Sequence, residues 1–124
     1  MGSVARILIV DDEERQRRTL SIALRLDGFE VECASSASDA LEILEHRPCD
    51  LALVDLMMPG VNGLDFARQV QRLFPHVKVV LTSAYHLSER QLLRAECGAV
   101  GVVPKPYNMP DLVAFLRSKT EVID

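Results

Sequence analysis

The 124 residues are 48% hydrophobic and 26% charged, with a formal net charge of −4 at pH 7. That balance excludes a disordered or fibrous chain and gives no general attraction to nucleic acid or to an anionic membrane surface. No apolar stretch approaches the ~20 residues that span a bilayer, and the length suits one domain, 1–124, with 1–3 given no structural weight and 120–124 read as a tail or the start of a linker.

Arg6 and then Asp11-Asp12 interrupt the first apolar segment, so no secretory h-region forms. Residues 6–10 read as a buried strand stopped by those two aspartates. Residues 15–26 place Leu20, Ala23 and Leu24 at helical spacing, and Gly28 sits where a C′ residue belongs. A short second strand covers 29–34, with Val31 and Cys33 on one face. Ser36 or Ser38 caps a second helix to about Glu45, with Ala37, Leu41 and Leu44 inward. Pro48 then takes the chain out of helix.

The stretch LALVDLMMPG, residues 51–60, begins as an unbroken apolar run that ends on a carboxylate, Asp55, and the turn signal Pro59-Gly60 follows, with a loop beyond. Such a run reads as a strand buried on both faces inside a parallel sheet. A charge is expensive within it, so Asp55 belongs at its C-terminal edge. A helix follows over 64–74, with Leu64, Ala67, Val70, Gln71 and Phe74 at helical spacing. Residues 77–81 form a fourth strand ending at Thr82-Ser83. Ser88 to Gln91 has the form of a capping box for a fourth helix, with Gly98 near its end. A fifth strand, 99–103, is broken by Pro104-Lys105-Pro106. Asn108, with Asp111 in the first turn, starts a last helix to about Lys119 that buries Leu112, Phe115 and Leu116.

Strand–helix repeated about five times implies a parallel sheet with helices on both faces, and right-handed crossovers make it a three-layer sandwich. Ligands bind such sheets at the C-terminal strand ends. Asp11 and Asp12 follow strand one, Asp55 ends strand three, Thr82 ends strand four and Lys105 follows strand five. Strand two contributes nothing comparable. Each feature alone is ordinary, since Asp-Asp after a strand often merely caps a helix. Together, at one edge, they make a site. Two carboxylates ~4 Å apart repel by about 4 kcal/mol at an effective dielectric of about 20. A hard divalent cation, Mg²⁺, relieves that with oxygen ligands. One aspartate can then act as a nucleophile toward phosphorus, with the cation and a lysine neutralising the transferred group. Thr82 can hydrogen-bond a phosphoryl oxygen.

Cys33, Cys49 and Cys97 are odd in number and lack metal or redox spacing. They read as reduced, partly buried thiols of a cytoplasmic protein. His46, His76 and His86 also lack metal spacing, and Arg15, Arg17 and Arg18 read as a solvated helix face.

In order and spacing, ILIVDDE (7–13), VDLMMPGVNG (54–63), LTSA (81–84) and PKPY (104–107) resemble the receiver domain of bacterial two-component response regulators, over essentially the whole chain. The resemblance implies a doubly wound (βα)5 flavodoxin-like fold with strand order 2-1-3-4-5. It implies phosphoryl transfer to Asp55 from a phosphohistidine on a sensor histidine kinase or a histidine phosphotransfer protein, with Mg²⁺ required. Asp12 would be the main direct metal ligand and Asp11 would act largely through water. The Asp55 carboxylate and the Met57 backbone carbonyl complete the set. Lys105 would pair with Asp55 and then with the phosphate, Thr82 would be the switch hydroxyl, and Lys105-Pro106 would be cis. The first helix would lie near the kinase-docking surface. The chain would be a signalling switch that catalyses only its own phosphotransfer and dephosphorylation.

One departure bears on output. Three residues before the lysine, many receivers carry a ring that rotates inward; here Val102 stands there, and a valine has no ring to swing. Tyr85 is either a substitute moving aromatic or loop packing. Met57 and Ala84, two residues after Asp55 and Thr82, cannot orient a hydrolytic water, which points to a long-lived phosphoaspartate. The last two helices offer a homodimer surface, but Glu89, Arg90, Arg94 and Arg117 do not single it out. The main alternative is a receiver-like interaction module independent of phosphorylation. An aspartate phosphatase would need a DxD motif and a cap, and a flavin binder would need a Gly/Ser/Thr-rich phosphate loop; neither is present in the sequence.

Overall fold

Short unbroken apolar runs, separated by amphipathic stretches, build a parallel sheet covered on both faces. The structure, a computed structural model, describes residues 4–84, 90–91 and 96–120. The strands are β1 (Arg6–Val10), β2 (Glu30–Ala34), β3 (Leu51–Asp55), β4 (Lys78–Ser83) and β5 (Ala99–Pro104). All pair in parallel, in the order β2-β1-β3-β4-β5. This is the order that the resemblance implies. Among the described residues the helices are α1 (Glu14–Leu26), α2 (Ala37–His46), α3 (Gly63–Leu73) and a C-terminal helix, Met109–Thr120, and residues 90–91 are also helical.

Alternation along each strand divides the core in two. Leu8, Val10, Ala52, Val54, Val79 and Leu81 face α2 and α3, where Ala40, Leu44, Phe66 and Val70 meet them. Ile7, Ile9, Leu51, Leu53 and Val80 face α1 and the C-terminal helix through Leu20, Leu24, Leu112 and Leu116. β3 is buried along its whole length. Each fully buried Leu or Ile contributes about 1.5–3 kcal/mol relative to exposure, so this central strand is held firmly on both sides.

Polar side chains close the helix ends. Ser36, not Ser38, caps α2 by accepting from Asp39 N at 3.1 Å. Asn62 caps α3 by accepting from Leu64 N at 2.9 Å, and Asn108 accepts from Asp111 N at 3.1 Å. Gly28 takes φ +96° after α1, a conformation that suits glycine.

Several local expectations are corrected. Met57–Met58 and Val61–Asn62 pair as a short antiparallel ribbon across the Pro59-Gly60 turn, where a plain loop is expected; Gly60 at φ +72° permits the tight reversal. Cys33 is exposed while Val31 is buried, because β2 is an edge strand with a neighbour on the β1 side only; Cys49 and Cys97 are buried. Gln71 is exposed and Phe74 lies beyond the end of α3 as its half-buried C-cap. Phe115 is half-buried because its ring lies over Gly101, occupying the space a Cβ there would need. Arg17 is half-buried rather than solvated, for a reason that lies at the end of β1. Tyr85, His86, Ser88, Glu89 and Arg94 lie outside the described residues.

Candidate functional site

The parallel register brings the strand ends level. Val10 stands opposite Val54, Asp55 opposite Thr82, and Thr82 opposite Val103. The residues just beyond β1 and β5 therefore converge on the end of β3.

Asp11 is 3% exposed and held from several sides. Its N–H donates to Ala34 O at 3.2 Å, its Oδ1 accepts from Glu13 N at 2.9 Å, and its carbonyl accepts from Arg17 Nη1 at 2.7 Å. That last contact draws Arg17 inward. Asp12 is exposed. Asp55 is 9% exposed, and its Oδ1 accepts from Met57 N at 3.1 Å. Lys105 Nζ lies 3.4 Å from Asp55 Oδ2 and 3.7 Å from Asp11 Oδ2. The lysine is positioned by its own N–H, which donates to Ser83 O at 2.7 Å, and Lys105-Pro106 is cis. One carboxylate oxygen from each of Asp11, Asp12 and Asp55 falls within a group spanning 4.8 Å or less. Among the described residues Lys105 pairs with two of the three grouped carboxylates, and the excess negative charge suits a cation.

Burial pushes the Asp11 carboxyl above its ordinary range; the Asp55 and Asp12 charges add to this, while the Glu13 N–H and Lys105 oppose it. The folded chain therefore holds that proton more tightly than the unfolded chain does. The carboxylate subtracts stability above its folded pKa, and stability returns as the pH falls from there toward the unfolded value of 3.8. Without divalent cations, Asp11→Asn is expected to melt above wild type at pH 7, with the gap closing as the pH is lowered toward about 4. Melting curves across that range check this. A variant that melts lower at pH 7 would mean that the Glu13 and Lys105 contacts outweigh burial. Burial, with the charges of Asp11 and Asp55, likewise pushes the nearby Tyr107 hydroxyl up to about 12.

Thr82 is 3% exposed, and its carbonyl accepts from Leu56 N at 2.8 Å, tying β4 to the residue after Asp55. Gly63 N donates to Leu56 O at 3.1 Å. Met57 points outward, 59% exposed, and Ala84 is exposed. Val102 is half-buried opposite Leu81 and packs into the core on the α2–α3 side. Its position is a packing position.

A cavity of about 440 Å³ opens over these groups, lined by Asp12, Gln16, Asp55, Met57 and Lys105 among others. Gln16 is the residue that sequence reasoning passed over. Its signal was its place on the inner stripe of α1, four residues after Asp12 and four before Leu20.

A family model described as the response regulator receiver domain matches residues 7–117. The chain belongs to this family. Among relatives of this receiver domain, the DNA-binding response regulator MtrA of Mycolicibacterium smegmatis is 38% identical over 114 residues, 92% of this chain and 50% of that protein. Regulatory protein AtoC of Escherichia coli K12 is 36% identical over 112 residues, 90% of this chain and 24% of that protein. The receiver domain thus spans a quarter to a half of these two curated relatives. A CheY-like receiver domain protein from Methanospirillum hungatei superimposes with a TM-score of 0.87 at 30% identity, covering 95% of this chain and 94% of that one. The response regulator TrrA of Thermotoga maritima, solved in complex with Mg²⁺-BeF, gives 0.82 at 29% identity, covering 94% and 99%.

Proposed function

We propose that this receiver domain accepts a phosphoryl group on Asp55 from a phosphohistidine, on a sensor histidine kinase or a histidine phosphotransfer protein in the cytoplasm. The observation that carries the reading is Asp55 itself: a carboxylate at the tip of a strand buried on both faces, 3.4 Å from Lys105 and grouped with Asp11 and Asp12. One Asp55 oxygen forms the new P–O bond as the P–N bond to the donor imidazole breaks, and the electron pair leaves with the imidazole. The Met57 N–H holds Oδ1 and so fixes the rotation of the carboxylate. Lys105 balances charge on the transferred group and pairs with it afterwards. Thr82, level with Asp55, is the switch hydroxyl that turns toward the acyl phosphate.

The donor set fits Mg²⁺, being hard oxygens only. Asp12 and Asp55 would hold it directly with the Met57 carbonyl, and Asp11 largely through water. When bound, the cation offsets the negative charge of the carboxylates and of the incoming phosphoryl group.

Acetyl phosphate with Mg²⁺ tests the reading: one phosphoryl group per chain is expected, without sustained release of phosphate from other phosphoesters. Sustained turnover would point to a phosphatase instead. The packing of half-buried Val102 against the core favours one second reading, an interaction module that needs no phosphorylation. Complete absence of an adduct would support it.

The lifetime of the adduct follows from Met57 and Ala84, which present no polar group to a hydrolytic water. Met57→Asn and Ala84→Glu are expected to shorten the half-life of the phosphorylated protein, read by following ³¹P or mass. Unchanged decay in both variants would sink this part of the account.

A further inference from the structure

Gln16 lies on the face of α1 that packs on the sheet. Leu20 and Leu24, four and eight residues later, are buried there, and a helix stacks such positions on one stripe. A hydrophobic side chain would continue that stripe. A glutamine does so instead, and its Oε1 is buried with no hydrogen-bond partner among the described residues. Buried acceptors are almost always paired, so one left alone points to a partner that binds.

The surroundings limit what that partner can be. Gln16 lines the acidic cavity beside Asp12, Asp55 and Lys105. An amide oxygen needs a donor, and carboxylates or phosphoryl oxygens are acceptors. Lys105 Nζ is already turned to Asp11 and Asp55, and Arg17 Nη1 is turned to the Asp11 carbonyl. The donors a loaded site adds are the O–H groups of water on the cation, because Mg²⁺ usually keeps several waters.

We propose that Gln16 is a positioning residue of the cation site, its side-chain amide turning so that Oε1, buried in the unloaded chain, accepts a hydrogen bond from a Mg²⁺-bound water. The inference rests on the Mg²⁺ reading above. It makes the first turns of α1 part of the metal's outer support, as partners of metal ligands commonly are. Loading the cation removes the unpaired oxygen, so occupancy of the site stabilises α1 against the sheet.

Calorimetric titration of Mg²⁺ into the unphosphorylated protein tests this, together with melting in EDTA. Gln16→Met keeps the length and removes the acceptor, and should weaken Mg²⁺ binding about tenfold. It should melt at or above wild type in EDTA, since a buried unpaired oxygen is gone. Gln16→Glu keeps an acceptor and should bind Mg²⁺ at least as tightly as wild type. A Gln16→Met protein with wild-type Mg²⁺ affinity overturns the proposal while leaving the Mg²⁺ reading intact. Equal loss in Gln16→Glu and Gln16→Met also overturns it, because the acceptor would then be irrelevant. A wild-type protein that binds no Mg²⁺ removes both readings together.

Discussion

Asp55→Asn is expected to abolish the covalent adduct that wild type forms with acetyl phosphate and Mg²⁺. The amide has the shape of the carboxylate but lacks an anionic oxygen to attack phosphorus. Asp55 ends a fully buried strand, pairs in register with Thr82 and hydrogen-bonds the Met57 N–H through Oδ1. An asparagine oxygen can accept that same bond, so the fold should persist and the loss should be chemical. Intact-mass spectrometry should show one added phosphoryl group in wild type and none in the variant, with matching melting curves establishing that both are folded. An adduct of equal size in Asp55→Asn would move the acceptor elsewhere and would falsify the assignment.

The second large effect is expected from Gly63→Ala, a change that touches no charged group. A Cβ built at Gly63 would lie 2.7 Å from both Leu56 Cα and Leu56 O. Those are backbone atoms and cannot rotate away. Overpacking of this kind costs about 1–3 kcal/mol, which lowers the melting temperature by several degrees in a domain of this size. The damage should also reach the site. Leu56 follows Asp55 directly, and its carbonyl accepts from Gly63 N; pushing it aside displaces the Met57 segment. Weaker Mg²⁺ binding should therefore accompany the lower melting temperature. A variant with unchanged stability would show that the ribbon between Leu56 and Gly63 yields freely and is not a rigid support.

How much of this was legible beforehand varied with how local each feature's physics is. The strand order came from the resemblance of the motifs to a known family, while the parallel sheet and the convergence of Asp11, Asp12, Asp55, Thr82 and Lys105 were readable from unbroken apolar runs alternating with helical stretches. Caps were nearly so: Ser36 and Ser38 both had the chemistry, and only backbone geometry chose Ser36. The exposure of Cys33 was not readable from its spacing with Val31, since position at a sheet edge is a property of neighbouring strands. Arg17 looked like one of three surface arginines until the end of β1 offered it the Asp11 carbonyl.

The sequence by itself determined the doubly wound architecture and the roster of charged groups at one edge of the sheet. Periodicity and breaker residues act within a few positions of themselves. Only the tertiary structure decided the distances: Lys105 shared between Asp55 and Asp11, Gly63 pressed on Leu56, Val102 half-buried against the core and the oxygen of Gln16 buried without a partner among the described residues. Each of these depends on atoms brought together from distant parts of the chain, and burial and unpaired polar groups acquire meaning only when the packing is complete.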